Sequence, residues 1–258
     1  MHVAIIGKGG SGKSVVAGTM ARILARRGHR VLTLDSDLMP GLSVSLGLGL
    51  YSSPMLTDAV ERNEQGRWRL RKGIGPVRAV QRYAVDGPDG VRHLQCGKID
   101  EAGQPAIMGS INGYYQVVQR LSRSRTFQEW TIIGDLPAGP RQVAYRWAPY
   151  ADTFVLMVEP SWKSALTARR ILAILRSGPD AAVMPVASKV SDTSDRHRVE
   201  KMLGEAVAIA IPADRSVAIA ERAGLAPIDH DPRSPAVRAI EALAVMLEAR
   251  TEPQRQAA

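Results

Sequence analysis

The chain of 258 residues has a single cysteine, Cys96. No intrachain disulfide can form, and no multi-thiolate metal site can be assembled within one chain. Aromatic residues make up 5% of the sequence, with two phenylalanines, so the core must be built from aliphatic side chains. No apolar run reaches the roughly 20 residues that a helix needs to cross a bilayer. The N-terminus reads as a strand and a glycine turn, not as a secretory signal, and a cytoplasmic protein is expected. Acidic residues are outnumbered, 25 against 34 basic ones, for a net charge of +9. That excess permits an acidic partner, a nucleic acid or an anionic membrane surface without specifying one. Hydrophobic content of 45% and charged content of 23% are ordinary for a globular protein, and the length suits one α/β domain or two small ones.

Against that background one stretch stands out: Gly7-Lys8-Gly9-Gly10-Ser11-Gly12-Lys13-Ser14. It fits the phosphate-binding pattern G-x-x-x-x-G-K-[ST] at every fixed position. The apolar run His2-Val3-Ala4-Ile5-Ile6 precedes it as a candidate strand. Val15 to Arg27 follows with helical periodicity, Val16, Met20, Ile23 and Leu24 sharing one face. Strand, glycine turn and helix are what phosphate binding needs. Successive backbone N–H groups cradle the anion, the helix N-terminus adds partial positive charge, and glycines let the backbone approach closely. Gly9, Gly10, Ser11, Gly12, Lys13, Ser14 and Val15 are therefore the candidate nucleotide contacts. Lys13 is expected on the β- and γ-phosphates and Ser14 on Mg²⁺.

Lys8 falls immediately after the first glycine, giving K-G-G-x-G-K-S. On its own it is a solvated surface lysine. The pattern resembles the deviant Walker A motif of the dimerising ATPases that include MinD, ParA, ArsA and the nitrogenase iron protein. The resemblance implies that Lys8 reaches across a homodimer interface to the partner's phosphates.

Other segments match the same family. Arg30 to Leu34 reads as a second strand ending in Asp35-Ser36-Asp37, at the strand edge where α/β sheets bind ligands. Capping or turn roles remain open for both acids. Asp37 resembles the switch I aspartate that positions the attacking water. Leu38 and Pro40 depart from the family's D-x-D-P. Glu129 to Asp135, followed by Leu136-Pro137-Ala138-Gly139, resembles the switch II pattern D-x-P-A-G. By that resemblance Asp135 holds the Mg²⁺ water shell and Gly139 offers an N–H near the γ-phosphate. Ser188 stands where the family often has an adenine-reading Asn, and Pro212-Ala213-Asp214 resembles its adenine-side loop.

Between these motifs the pattern predicts helical pieces over Gly41–Leu50 and Leu56–Glu61, a turn over Asp86–Gly90 and a strand over Val91–Cys96. A loop from Gly97-Lys98-Ile99-Asp100 then leads to a helix over Ile107–Leu121. That region is similar to the CooC-type ATPases that help insert nickel into carbon monoxide dehydrogenase. Those carry a Cys-x-Cys pair here, where this chain has Gly103-Gln104-Pro105-Ala106-Ile107-Met108 and so no thiolate for a soft metal. Cys96, paired across a dimer axis and assisted by His93, is the alternative to a core cysteine. The stretch Gly66–Arg82 carries Arg67, Arg69, Arg71, Lys72, Arg78 and Arg82 around Trp68. It reads either as a solvated hairpin or insertion or as a surface for nucleic acid.

Strands over Asp152–Val158, Ala181–Ala187 and Val207–Ile211 and helices over Ser164–Leu175 and Ser216–Ala223 complete the alternation. A final helix, capped by Ser234, runs to about Arg250, and Thr251 onward reads as a frayed tail, so residues 1–250 are expected to form one ATPase domain and 251–258 a flexible tail. Glu241 and Glu248 balance Arg238 and Arg250, which does not make a basic membrane-binding face. A doubly wound, mainly parallel sheet with helices on both faces is expected. The resemblance implies a Mg²⁺-dependent ATP hydrolase that binds ATP and ADP, dimerises on ATP and acts as a switch on a protein client, such as a metalloenzyme, or on nucleic acid.

Overall fold

The apolar run at residues 2–6 is uninterrupted, the pattern of a strand buried on both faces. In the computed structural model it becomes β1 (His2–Gly7), an inner strand of an eight-stranded sheet. The structure describes residues 1–38, 41–49, 56–97, 103–178 and 182–256, with side chains described from 107 in the fourth stretch and to 251 in the last. Pro40, Lys98 to Asp100, Ala181 and the side chains of Gln104, Pro105 and Ala106 lie outside the described residues.

The remaining strands are β2 (Val31–Asp35), β3 (Val60–Arg62), β4 (Trp68–Leu70), β5 (Val85–Asp86), β6 (Arg92–Gln95), β7 (Thr131–Asp135), β8 (Thr153–Val158), β9 (Ala182–Val190) and β10 (Ile209–Pro212). The main sheet has the order β10-β9-β8-β1-β7-β2-β6-β5, parallel throughout except for β5 against β6. This is the doubly wound sheet that the alternation of patterns predicts. Val3 and Ile5 pack with Met20 and Leu24 of the helix Lys13–Arg26 and with Ile240 and Leu243 of the terminal helix Pro235–Gln256. Ala4 and Ile6, on the opposite face, belong to the cluster that holds Val117, Leu121, Ile171 and Val199. Period-two alternation divides one apolar run between two cores.

Three elements depart from the expected ones. Leu56–Ala59 is a single 3₁₀ turn, and Val60–Arg62 then pairs with Trp68–Leu70 as an antiparallel hairpin instead of continuing as helix. The hairpin is fastened by Gln116, whose side-chain amide accepts from Leu70 N–H and donates to Trp68 carbonyl, both at 3.1 Å. The helix expected from Ile107 starts at Gly103, and the terminal helix continues past Arg250 to Gln256. Among the described residues, no helix is long and apolar enough to cross a membrane.

The sheet order places β1 between β7 and β8, so the chain leaves β1 toward one side and later returns to build the other. A ligand crevice opens at such a reversal, outside the carboxyl ends of the strands. The register then fixes what gathers there: Ile5 and Asp35 both lie opposite Asp135.

Candidate functional site

The phosphate loop follows β1 directly. A Cβ on Gly7 would lie 2.6 Å from Met157 carbonyl, so only glycine lets the loop leave the sheet between its neighbours. Gly10 and Gly12 take φ of 80° and 83°, in the left-handed region that glycine alone adopts cheaply. Gly12 is also the N-cap of the helix that begins at Lys13, and no side chain caps that end. Its first N–H groups are left for an anion. The loop is braced from within: Ser11 donates through N–H (3.3 Å) and Oγ (2.8 Å) to Lys8 carbonyl, and Lys13 Nζ donates to the same oxygen at 3.4 Å.

Behind the loop stand the strand-end acids. Asp135 is 3% exposed, and its Oδ2 accepts from Ser14 Oγ at 2.5 Å while Oδ1 has no hydrogen-bond partner. Burial pushes the Asp135 carboxyl up to about 6, although the Ser14 hydrogen bond and the charge of Lys13 pull it down. Asp35 is wholly buried, and burial together with the charge of Asp135 raises it well above the usual carboxylate range. Asp37 is half-buried at the rim, where its N–H donates to Asp35 Oδ1 at 3.0 Å. Ser36 N–H donates to Asp135 carbonyl at 3.1 Å, tying the loop after β2 to the end of β7. A buried carboxylate oxygen with no donor calls for a cation or its bound water. Mg²⁺ suits the place, because it takes one or two protein ligands, retains water and shares substrate phosphate oxygens. A dedicated cage is not formed: among the described residues no three His, Cys, Asp or Glu groups are placed to hold a metal.

A cleft of about 560 Å³ runs from Gly12, Lys13 and Ser14 to the loop after β10. Ser188, Pro212 and Asp214 line it, joined by Ile211, Val217 and Leu225, an apolar wall that the sequence pattern did not single out. Ser188 Oγ donates to Ser11 carbonyl at 2.8 Å, so its proton serves the phosphate loop, while a lone pair remains for a ligand. Asp214 turns its oxygens to helix N-termini, accepting from Ser216 N–H at 2.8 Å and Ala236 N–H at 3.0 Å. Burial opposes its charge, but those hydrogen bonds hold the carboxyl below the usual range. Gly139 N–H donates to Gly7 carbonyl at 3.0 Å, which sets the segment after Asp135 against the phosphate loop. Val15 and Gly10 line the cleft, and Gly9 approaches Ala138, whose Cβ would lie 3.6 Å from a Cβ at position 9.

Lys8 lies at the rim, 36% exposed, with its ammonium 3.5 Å from Glu159 Oε2. Glu159 and its other cation, Lys189, carry no motif. One signal points to Glu159: like Asp35 and Asp135, it sits at the carboxyl end of a parallel strand.

Cys96 is 2% exposed, and burial pushes its thiol up to about 12. His93 is fully buried, bonded through Nδ1 to Thr33 Oγ1 at 2.9 Å, and burial lowers it to about 4. Three residues apart along one extended segment, the two side chains emerge on opposite faces of the sheet, so they do not form one ligand set. In the basic stretch Arg67, Arg69, Arg71, Lys72, Arg78 and Arg82 are all exposed, as a solvated hairpin and helix would have them. Arg62 covers the half-buried Trp68 ring at 4.7 Å. Arg78, Arg120 and Arg123 line an open depression.

The model of the CobQ/CobB/MinD/ParA nucleotide-binding domain family matches residues 3–228. The carbon monoxide dehydrogenase accessory protein CooC of Rhodospirillum rubrum is 26% identical over 251 residues, covering 90% of this chain and 91% of CooC. The septum site-determining protein MinD of Pyrococcus horikoshii, solved with Mg-ADP, superposes with a TM-score of 0.72 at 18% identity, covering 95% of each chain. A ParA family ATPase from Chlorobium tepidum gives 0.71 at 18% identity, covering 94% of this chain and 97% of that one.

Proposed function

The chain belongs to the CobQ/CobB/MinD/ParA nucleotide-binding family, and on that premise we propose that it is a Mg²⁺-dependent ATPase whose ATP-bound form pairs with a second copy and works as a switch. The observation that carries this reading is the open N-terminus of the Lys13–Arg26 helix, capped by a left-handed glycine with Lys13, Ser14 and Asp135 converging on it. A bare glycine turn would leave Asp135 buried without a reason.

Each residue then has a duty. The N–H groups of Gly9 to Val15 and the Lys13 ammonium hold the phosphates in cis. Ser14 Oγ and, through water, Asp135 would hold Mg²⁺, which would supply neutralisation of the phosphate charge. Asp37, half-buried at the rim, orients the attacking water, and Gly139 N–H, released from Gly7 carbonyl, turns to the γ-phosphate. The base lies toward Ser188, Pro212 and Asp214, against the apolar wall of the cleft. Lys8 acts in trans on the partner's phosphates, where it meets charge that develops during transfer.

Similarity to a carbon monoxide dehydrogenase accessory protein over nine-tenths of the chain favours a metalloenzyme as the client, with this chain acting on the client and holding no thiolate-bound metal itself. A second reading, in which the ATP dimer holds nucleic acid, is favoured by the exposed basic residues around Trp68 and by the arginine-lined depression beside them. Binding to DNA that is ATP-dependent and falls steeply with salt marks that second reading.

The test of the common core uses light scattering and turnover together. Lys8→Ala is expected to bind ATP as a monomer and to lose ATP-driven pairing and most turnover. Mixed with Lys13→Ala, it regains part of the activity, since the heterodimer holds one competent loop opposite an intact Lys8. A wild-type chain that stays monomeric at full turnover refutes the switch.

A further inference from the structure

Glu159 lies outside the phosphate-loop motif, yet it stands between two cations at the loop's rim. It directly follows β8, and its side chain is 18% exposed. Oε2 faces Lys8 Nζ at 3.5 Å and Oε1 faces Lys189 Nζ at 3.6 Å, one oxygen to each ammonium. Lys189 also donates to Gly10 carbonyl, and it does so from a left-handed backbone at φ 56°. A lysine adopts that conformation only where its surroundings require it. The Glu159 backbone is itself anchored: its N–H donates to Ser164 Oγ at 2.9 Å, at the start of a helix capped by Ser161.

We infer that Glu159 is a positioning residue for Lys8, holding its ammonium against its own subunit in the nucleotide-free chain and so withholding it from a second copy. The inference rests on the trans role of Lys8 proposed above. A free ammonium at the rim would repel its symmetry mate and would be able to fold onto its own phosphates; paired with Glu159 it does neither. When a partner presents a triphosphate, several negative charges compete with one carboxylate, and Lys8 transfers. Lys189 explains why the transfer is cheap. It stays on the half-buried Glu159, so that release of Lys8 leaves no carboxylate uncompensated.

Lys8 is partly exposed, so the pair is of the surface kind, worth a factor of about two to five. A symmetric dimer breaks two such pairs, which multiplies to about 4- to 25-fold in the dimer dissociation constant. The experiment is sedimentation of the full chain across protein concentration with Mg²⁺ and a non-hydrolysable ATP analogue. Glu159→Gln is expected to dimerise at a concentration lower by that factor. The gap is expected to narrow as salt rises, since screening weakens the wild-type pair alone. Glu159→Asp, with its charge withdrawn by one methylene, falls between. In a Lys8→Ala background, which has lost ATP-driven pairing, Glu159→Gln does not restore it. Unchanged or weaker dimerisation of Glu159→Gln, or pairing restored by it without Lys8, overturns the inference. If wild type dimerises and Glu159→Gln matches it, only this inference falls; if wild type never dimerises, the trans role of Lys8 falls first and takes this inference with it.

Discussion

Asp135→Asn is expected to stabilise the nucleotide-free fold while removing its response to Mg²⁺ and nucleotide. Asp135 is 3% exposed, and one of its oxygens has no partner. Its carboxyl is raised from an ordinary 3.8 to about 6. A folded pKa above the unfolded value means that the folded chain binds the proton more tightly. The ionised group therefore opposes folding in full above about pH 6, and the opposition vanishes below about pH 4. At ~1.4 kcal/mol per pKa unit, the cost at neutral pH is about 3 kcal/mol. Asparagine keeps the shape without the charge, but its NH₂ is a poor neighbour for Ser14 Oγ–H and Lys13 loses a counter-charge, so a net gain of about 1–2 kcal/mol is expected. For a chain near this size that corresponds to roughly 2–8 °C in Tm. Thermal unfolding at pH 7.5 and pH 5 measures it, the advantage of the variant shrinking at the lower pH. ATP with Mg²⁺ should raise the Tm of wild type and leave that of the variant nearly unmoved. An Asp135→Asn chain less stable than wild type at pH 7.5, or a gap independent of pH, refutes the reasoning.

Gly7→Ala places a Cβ 2.6 Å from Met157 carbonyl; displacing a sheet backbone is expected to cost about 1–3 kcal/mol and to lower ATP affinity, as urea unfolding and calorimetry would show. Cys96→Ser puts a hydroxyl in a buried position whose thiol is held protonated. It is expected to cost about 1 kcal/mol or more in stability and to leave turnover unchanged; stoichiometric nickel or zinc lost with the substitution would reinstate Cys96 as a metal ligand.

What was legible in the sequence is what its chemistry confines to a few adjacent residues. The phosphate loop is one, because Gly7, Gly10 and Gly12 each answer a backbone demand within eight positions. Asp35 and Asp135 were legible because an acid that closes an apolar strand is visible without knowing the strand's neighbours. That the two acids lie opposite each other was not, since this follows from the β2–β7 register. Of the hairpin, the first strand is hidden in the sequence for a related reason. Val60–Arg62 is three residues long, too short to display alternation, and its fastening to Gln116 comes from a helix far along the chain. Ser188 lines the cleft, but that its hydroxyl proton goes to Ser11 carbonyl is a bond no local pattern encodes. Glu159 with Lys8 and Lys189 brings together the ends of β1, β8 and β9, and no local pattern encodes such a meeting.

The same register explains why this edge of the sheet is poised to bind. Parallel strands deliver their carboxyl ends to one side, and here β2 and β7 bring Asp35 and Asp135 together while the adjacent loop brings Asp37. Asp135 and Asp37 raise the proton affinity of Asp35, and Asp37 raises that of Asp135. A core of aliphatic side chains offers these groups no donors, and Lys13 and Ser14 answer one carboxylate only in part. Left without a counter-charge, these buried acids oppose folding in their ionised forms. A divalent cation removes the conflict but brings excess positive charge, and a polyphosphate accompanying it restores balance with the loop's N–H groups. Cation and anion are thus expected to bind as a unit, each weakly alone. Mg²⁺ without nucleotide, and nucleotide with a chelator, should each move Tm by less than a third of what the pair does. An equal shift with chelated nucleotide would mean that the acids are not the seat of the coupling.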